Sequence, residues 1–144
     1  MARRKPSLSA VVDTNVAAYF LLGTEPYAAP CERFFAALRD GIAPSTWEVE
    51  LGNVLWMATR SGLLPQSEAL SRLRLSRRLG ITSVPPADLC QGALLRSIHS
   101  GIAVYDSLFV EVAIRSGRRL ATFDGALLRA FPDVAARPDD LLAQ

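Results

Sequence analysis

Four carboxylates lie at the starts of segments with helical spacing, and two of them directly follow short apolar runs. Asp13 follows the run SAVV, and Asp124 follows LATF. Asp106 lies in the first turn of VYDSLFVEVA, and Glu50 lies near the start of TWEVELGNVLW. In a parallel sheet the carboxyl ends of the strands meet at one edge, where α/β proteins bind ligands. We therefore expect the four acids to converge at that edge.

Carboxylates brought together in this way favour a divalent cation as their counter-ion. Without one they repel each other and raise each other's pKa. Mg²⁺ prefers carboxylate and water oxygens and keeps positions open for phosphate, so such a site could activate water for attack on a phosphodiester. Helix capping explains any one of these acids equally well when it is taken alone. The metal-site prediction therefore depends on the four acids together.

The third helical segment carries two acids, Glu48 and Glu50, and helical geometry does not choose between them. At about 100° per residue, the two side chains point about 160° apart. They flank the apolar stripe of that helix almost symmetrically. The stripe consists of Trp47, Leu51, Val54, Leu55 and Ala58.

The elements that must position these acids alternate between strands and helices. LSAVV, IAPS, ITSVP and RRLATF have the pattern of short strands, and a further edge strand is expected near Val134. Helical segments separate them, including EPYAAPCERFFAALRDG and PQSEALSRLRLSRRLG. This order predicts one α/β domain over residues 1–144, with a mostly parallel sheet of four to five strands flanked by helices. Residues 1–7 are expected to be a loose basic tail, and the last dozen residues a loose end.

Composition excludes several classes of site. The 144 residues carry a net charge of +2, which requires no particular partner. Two separated cysteines, Cys31 and Cys90, and the single His99 are too few for a structural zinc site, so both cysteines are expected to be buried free thiols. No apolar stretch reaches the ~18 residues of a membrane span, and no secretory signal is evident. We expect a soluble cytoplasmic protein that does not enter a membrane.

The segments VVDTNV, EVELGNVLW, VYDSLFVEVA and LATFD occur in this order and cover nearly the whole chain. Together they resemble PIN-domain ribonucleases, and within them the VapC-type toxins of bacterial toxin–antitoxin pairs. The family motif E-x-x-N fits Glu50 and Asn53 and does not fit Glu48. The resemblance thus favours Glu50 as the functional glutamate and implies a PIN-like fold.

The same resemblance implies cleavage of RNA by metal-bound water. It implies that one or two Mg²⁺ or Mn²⁺ ions are bound by Asp13, Glu50, Asp106 and Asp124. It also assigns Asn15 and Thr122 as supporting polar residues that orient the acids or the water.

Two further surfaces are candidates for partners. The segment RLRLSRRLG places Arg72, Arg74, Arg77 and Arg78 on one helix, where they could contact the RNA backbone or an acidic partner; a solvated helix face is the alternative. On the third helical segment, Val49 and Trp56 lie opposite the apolar stripe. The resemblance suggests a homodimer contact or a groove for a small antitoxin protein there, and a lone exposed tryptophan is the alternative.

Two other functions compete with the nuclease. Phosphotransfer through an aspartyl nucleophile commonly requires a lysine, and the only lysine is Lys5; no phosphate-binding glycine loop is present either. The second is a non-catalytic RNA- or protein-binding module whose carboxylates merely cap helices. Such a module would tolerate Asp13→Ser, because serine is nearly as good a cap.

Overall fold

The computed structural model describes residues 7–144, so the predicted basic tail lies outside the described residues except for Ser7. The described strands are β1 (Leu8–Val12), β2 (Leu38–Pro44), β3 (Ile81–Val84), β4 (Leu120–Ala121) and β5 (Ala135–Ala136). The described helices are α1 (Thr14–Leu22), α2 (Ala28–Ala37), α3 (Thr46–Arg60), α4 (Gln66–Ser76), α5 (Cys90–Ser100), α6 (Val104–Ser116), α7 (Gly125–Ala130) and α8 (Pro138–Leu142). A single 3₁₀ turn, Ala87–Leu89, precedes α5.

The strands form one sheet in the order β3-β2-β1-β4-β5, and every neighbouring pair is parallel. The predicted α/β fold with four to five parallel strands is therefore confirmed. β1 lies at the centre, with β2 on one side and β4 on the other. The strand order thus reverses at β1, and the carboxyl ends of β1 and β4 face the crevice that this reversal creates.

The sheet is covered by apolar residues on both faces, as expected for a parallel sheet. Val11 packs into the larger cluster, with α3, α5 and α6. Its neighbours Ala10 and Val12 point the other way, into a smaller cluster that includes Phe34 of α2. Burial on both faces holds the end of β1 in a fixed position, and Asp13 follows directly.

The boundary between α2 and β2 differs from the prediction. The helical pattern was expected to continue to Gly41, yet α2 ends at Ala37 and β2 starts at Leu38, which pairs with Leu8 of β1. Gly41 lies within β2, where a side chain would be too close to the next strand, because a Cβ there would lie 2.9 Å from the carbonyl oxygen of Gly80. Close backbone contact with the β3 side therefore explains this glycine better than the end of a helix does.

Three other expectations about the elements need correction. Helix α4 ends at Ser76, well before Gly80, and β4 has only two of the six predicted residues. The expected edge strand near Val134 is present as β5, which pairs with β4, but the residues after it form α8 and are not a loose end. Arg33 of α2 forms an ion pair with Asp139 of α8 at 3.0 Å.

The two cysteines also differ from each other. Cys31 is a buried free thiol as expected, but Cys90 is exposed at the start of α5, so the expectation was wrong for it. Between residues 7 and 144, no helix is long and apolar enough to cross a bilayer alone. The segments Ala87–Ser100 and Val104–Ser116 meet that criterion only as a pair bent by 114°.

Candidate active site

Asp13 caps helix α1 and also lies beside two of the other predicted acids. Its Oδ1 accepts a hydrogen bond from the Thr14 backbone N–H at 2.7 Å, which caps α1. Its Oδ2 accepts the Thr122 hydroxyl at 2.7 Å and the Asn15 side-chain amide at 3.3 Å. Only 6% of the residue is exposed. Burial raises the pKa of Asp13 to about 6, and the charges of Asp106 and Asp124 add to the effect, while the Thr122 hydrogen bond opposes it.

A polar network joins the end of β1 to the segment after β4. The Asn15 side-chain amide donates to the Thr122 hydroxyl oxygen at 3.3 Å, and its carbonyl oxygen accepts the Phe123 backbone N–H. The Asp124 backbone N–H donates to the same hydroxyl at 3.0 Å. These contacts fix Asp13 relative to Asp124.

Asp124 is also a helix cap. Its Oδ1 accepts the backbone N–H groups of Ala126 and Leu127 at 2.8 and 3.1 Å, at the start of α7. Its carboxylate nevertheless faces the other acids closely enough to raise the pKa of Asp13. Capping and a place among clustered acids are therefore compatible at this position, as they are at Asp13.

Glu50 lies in the second turn of α3 and points toward the other acids. Its Oε1 is buried and has no hydrogen-bond partner among residues 7–144. Burial raises the pKa of Glu50 to about 7, the negative charges of Asp13 and Asp106 contribute, and the nearby Thr14 hydroxyl opposes the increase. Glu48 points elsewhere, since its Oε1 accepts the Ser83 hydroxyl of β3 at 2.8 Å. The structure thus separates the two glutamates that helical phasing alone could not distinguish.

Asp106 supplies the fourth acid from the first turn of α6. Partial burial raises the pKa of Asp106, and the charge of Asp124 adds to this effect. All four acids line one cavity of about 670 Å³, together with Asn15, Asn53 and the largely exposed Tyr105. Tyr105 was missed by the sequence reasoning, although its position beside Asp106 could have indicated it.

The chemistry of this cavity suits a hard divalent cation. Its donors are carboxylate and amide oxygens, one buried carboxylate oxygen has no partner, and the acids destabilise one another's charged forms. Within residues 7–144, no three acidic, histidine or cysteine side chains lie close enough together to hold a metal ion as a cage of three ligands. Mg²⁺ does not need such a cage, because one or two carboxylates with several waters and a phosphate are usual.

The prediction that four arginines share one helix is wrong, because α4 ends at Ser76 and Arg77 and Arg78 follow it. The structure also does not bring the four side chains together. Arg72 donates to the backbone carbonyl of Leu21 and pairs with Glu68 at 3.6 Å, so it helps to hold α4 against α1. Arg77 lines a cavity beside α3, whereas Arg78 lines a different groove near α1 and α2. Arg74 is exposed.

The apolar pair on α3 is exposed, as its position opposite the buried stripe predicts. Val49 is 77% exposed and Trp56 is 54% exposed, with the Arg60 guanidinium 5.4 Å from the Trp56 ring. Beside Trp56 runs an apolar groove of about 250 Å³ between α3 and α4, which Leu70 and Leu73 also line.

Comparison with known proteins identifies relatives of this chain. The PIN domain family model matches residues 10–132. Ribonuclease VapC3 from Pyrobaculum aerophilum is 32% identical over 87 residues, which are 58% of this chain and 65% of that protein. The match therefore spans slightly less than two thirds of that relative's length.

Two solved structures share the architecture. PAE2754 from Pyrobaculum aerophilum superimposes with a TM-score of 0.69 at 24% identity, covering 96% of this chain and 99% of the other. VapBC2 from Rickettsia felis, solved with a DNA fragment from their promoter, gives a TM-score of 0.62 at 15% identity, with coverage of 90% and 98%. At these identities the two structures bear on the fold alone.

Proposed function

The chain belongs to the PIN domain family, and from this premise we propose that it is a metal-dependent endoribonuclease, the toxin of a toxin–antitoxin pair. The observation that carries the proposal is the convergence of Asp13, Glu50, Asp106 and Asp124 on one cavity. The similarity to Ribonuclease VapC3 supports RNA as the substrate. The proposed location is the cytoplasm, where RNA is accessible.

The acids have distinct proposed roles. Asp13 and Asp106 would bind the divalent ion directly, and Glu50 joins them or positions the attacking water. Asp124 would bind a second ion or act through water. When bound, Mg²⁺ or Mn²⁺ would lower the pKa of a water molecule and neutralise charge on the phosphodiester. No histidine is needed as a general base in this scheme.

Asn15 and Thr122 act on Asp13 rather than on the substrate. Their hydrogen bonds hold Oδ2 in one orientation, while the Thr14 backbone N–H holds Oδ1. A carboxylate fixed on both oxygens loses little freedom when it binds an ion, which favours an ordered site. The buried, unpartnered Oε1 of Glu50 would gain the partner that it lacks.

The partner part of the proposal concerns two apolar surfaces. We assign the groove beside Trp56 to a segment of the antitoxin, because exposed apolar patches of this kind mark protein interfaces. Val49, the other exposed apolar residue of the predicted interface, does not line this groove and borders the acidic cavity instead. A homodimer would use α5, whose Leu94, Leu95 and Ile98 are all exposed. The solved structure of VapBC2, which has a similar fold, supports a partner protein by analogy.

A cleavage assay with matched variants tests the nuclease. Wild-type protein with Mg²⁺ or Mn²⁺ should cleave structured RNA, and Asp106→Asn should reduce cleavage by at least about a hundredfold. Asp88→Asn is the control, since Asp88 is exposed in the turn before α5 and does not line the acidic cavity. It should retain full activity.

Two results would refute the nuclease. One is equal cleavage by the wild type and Asp106→Asn, and the other is no cleavage by either protein across a metal titration. A non-catalytic binding module would show a different pattern, because Asp13→Ser would then keep its full effect on cell growth. Circular dichroism of each variant checks that its fold is intact.

A further inference from the structure

A second cavity adjoins the acidic one and differs from it in chemistry. It has a volume of about 480 Å³, larger than a purine base, and lies between α3, α4 and β3. Its apolar walls include Val49, Leu73 and Ile81. Val49 also lines the acidic cavity, so the two spaces are neighbours on either side of this residue. A strand of RNA in the acidic cavity could therefore place an adjacent base here.

A hydrogen-bond relay orients one acceptor at this cavity. The Trp47 indole N–H donates to the Ser83 hydroxyl oxygen at 3.0 Å, and this hydroxyl donates to Glu48 Oε1 at 2.8 Å. Trp47 is buried, so the relay starts from a fixed point. The Glu48 carboxylate thus has a defined orientation while remaining exposed to a ligand. Its Oε2 has no hydrogen-bond partner among residues 7–144.

Arg77 adds a cation to the same cavity. It lies just after the last turn of α4, is exposed, and forms no ion pair with any residue that the structure describes. Of the four predicted RNA-binding arginines, it is the one whose side chain borders this cavity. A guanidinium in this position is suited to a phosphate group.

We propose that this second cavity binds a guanine base of the RNA, next to the phosphate that is cleaved. The inference rests on the proposed nuclease function. Single-stranded RNA is read through the Watson–Crick edges of unstacked bases. Guanine presents two adjacent donors there, N1–H and the N2 amino group, and a carboxylate has two acceptor oxygens and no donor.

The other bases fit the Glu48 carboxylate less well. Adenine, cytosine and uracil each offer one donor on this edge, and each turns at least one acceptor toward the carboxylate. Acceptors facing a carboxylate repel it, which adds a penalty to the lost hydrogen bond. Glu48 is therefore the residue that would set the base preference, and Arg77 would hold the adjoining phosphate.

Nucleotide binding to the wild-type protein tests the subsite without any need for cleavage. The probes are GMP, IMP and AMP, and the signal is the Trp47 indole N–H in ¹H–¹⁵N spectra, assigned with Trp56→Phe. IMP lacks only the N2 amino group of GMP. GMP should bind about tenfold more tightly than IMP or AMP, as expected for one hydrogen bond to a charged group.

Glu48→Gln should weaken GMP binding about tenfold and remove the preference over IMP. Glu32→Gln changes an exposed acid of α2 and is the control. It should leave the GMP affinity and the preference for GMP over IMP unchanged. Equal affinity for the three nucleotides, or an unchanged GMP affinity in Glu48→Gln, would overturn the subsite. Absence of RNA cleavage together with an intact GMP preference would instead overturn the nuclease. The two failures are therefore distinguishable.

Discussion

Thr122 donates its hydroxyl to Asp13 Oδ2 at 2.7 Å, although 109 residues separate the two in sequence. Asp13 directly follows β1 and Thr122 directly follows β4, and these strands are neighbours in the sheet. The Thr122 hydroxyl oxygen also accepts the Asp124 backbone N–H. One buried hydroxyl thus connects two of the four clustered acids and fixes their relative positions.

Replacing Thr122 with valine should impair both stability and activity. Valine keeps the volume but removes the donor to Asp13, which leaves a buried carboxylate oxygen with one hydrogen bond fewer. We expect a loss of about 1–3 kcal/mol in the free energy of unfolding and a reduction of about 10–100-fold in kcat/KM. Urea unfolding and RNA cleavage measure the two effects. Thr122→Ser retains the hydroxyl and should retain most activity; an inactive serine variant would contradict this role.

The raised pKa of Asp13 predicts how stability depends on pH without metal. Its pKa rises from 3.8 to about 6 on folding, so the folded state binds more protons than the unfolded state between these values. Unfolding free energy must therefore fall as the pH increases from about 4 to about 6, by roughly 3 kcal/mol from Asp13 alone. Glu50, with a pKa of about 7, extends the decline. Urea titrations in EDTA measure this curve.

Asp13→Asn should make the free energy of unfolding less dependent on pH. Asparagine carries no charge to desolvate, so above about pH 7 the metal-free variant should be more stable than the wild type. Asp88→Asn should follow the wild type, because the exposed Asp88 lies outside the acidic cavity. Parallel curves for Asp13→Asn and the wild type would show that burial does not penalise the Asp13 charge.

Binding of a divalent metal should offset the loss of stability that the buried charged carboxylates cause. Mg²⁺ that binds only the folded protein adds about 2.7 kcal/mol at a hundredfold excess over its Kd. The increase in Tm should be larger near pH 8 than near pH 5, because protons compete for carboxylates whose pKa lies at about 6 and 7. NaCl at matched ionic strength controls for screening. An equal increase in Asp13→Asn would place the metal elsewhere.

The sequence pattern alone did not determine which of Glu48 and Glu50 faces the other acids. Helical periodicity places both beside the buried stripe of α3, but it does not say which neighbouring strand lies on which side. The sheet order supplies that information, with Ser83 of β3 on the Glu48 side and Asp13 of β1 on the Glu50 side. The motif E-x-x-N indicated Glu50 only through resemblance.

Strand boundaries were harder to predict than helices for a similar reason. Leu38 continues the helical spacing of α2, and only its pairing with Leu8 makes it a strand residue. At β4 the predicted strand RRLATF has six residues, yet pairing with both neighbours involves only Leu120 and Ala121. Local patterns determined the order of elements and the places where Asp13 and Asp124 follow strands. Long-range pairing determined where the strands begin and end.

The exposed tryptophan of α3 should matter for the partner and not for catalysis. Trp56→Asp would put a charge into the apolar groove between α3 and α4, so binding of the proposed antitoxin should weaken by at least about a hundredfold. RNA cleavage should persist, since Trp56 does not line the acidic cavity. Met57→Asp is the control, because Met57 is equally exposed but does not line the groove. Calorimetry of the complexes distinguishes the two variants.

Two glycines in helices should respond oppositely to the same substitution. A Cβ at Gly92 of α5 would overlap the Glu111 carboxylate, which lies directly against it. This carboxylate cannot move aside easily, because it accepts the Nε–H groups of Arg96 at 2.6 Å and Arg115 at 2.8 Å. Glu111 is also buried, so displacing it would separate a buried acid from its cations. Gly92→Ala should therefore cost about 2–4 kcal/mol.

Gly52 of α3 is the matched control, because a Cβ there meets no atom within 4 Å. Alanine has the higher helix propensity, so Gly52→Ala should increase the free energy of unfolding by about 0.5–1 kcal/mol. Urea unfolding of both variants measures the difference.

Gly92→Ala combined with Glu111→Ala should recover part of the stability that Gly92→Ala loses, since the overlapping carboxylate is then gone. If the double variant is no more stable than the sum of the single changes predicts, the overlap is not the cause.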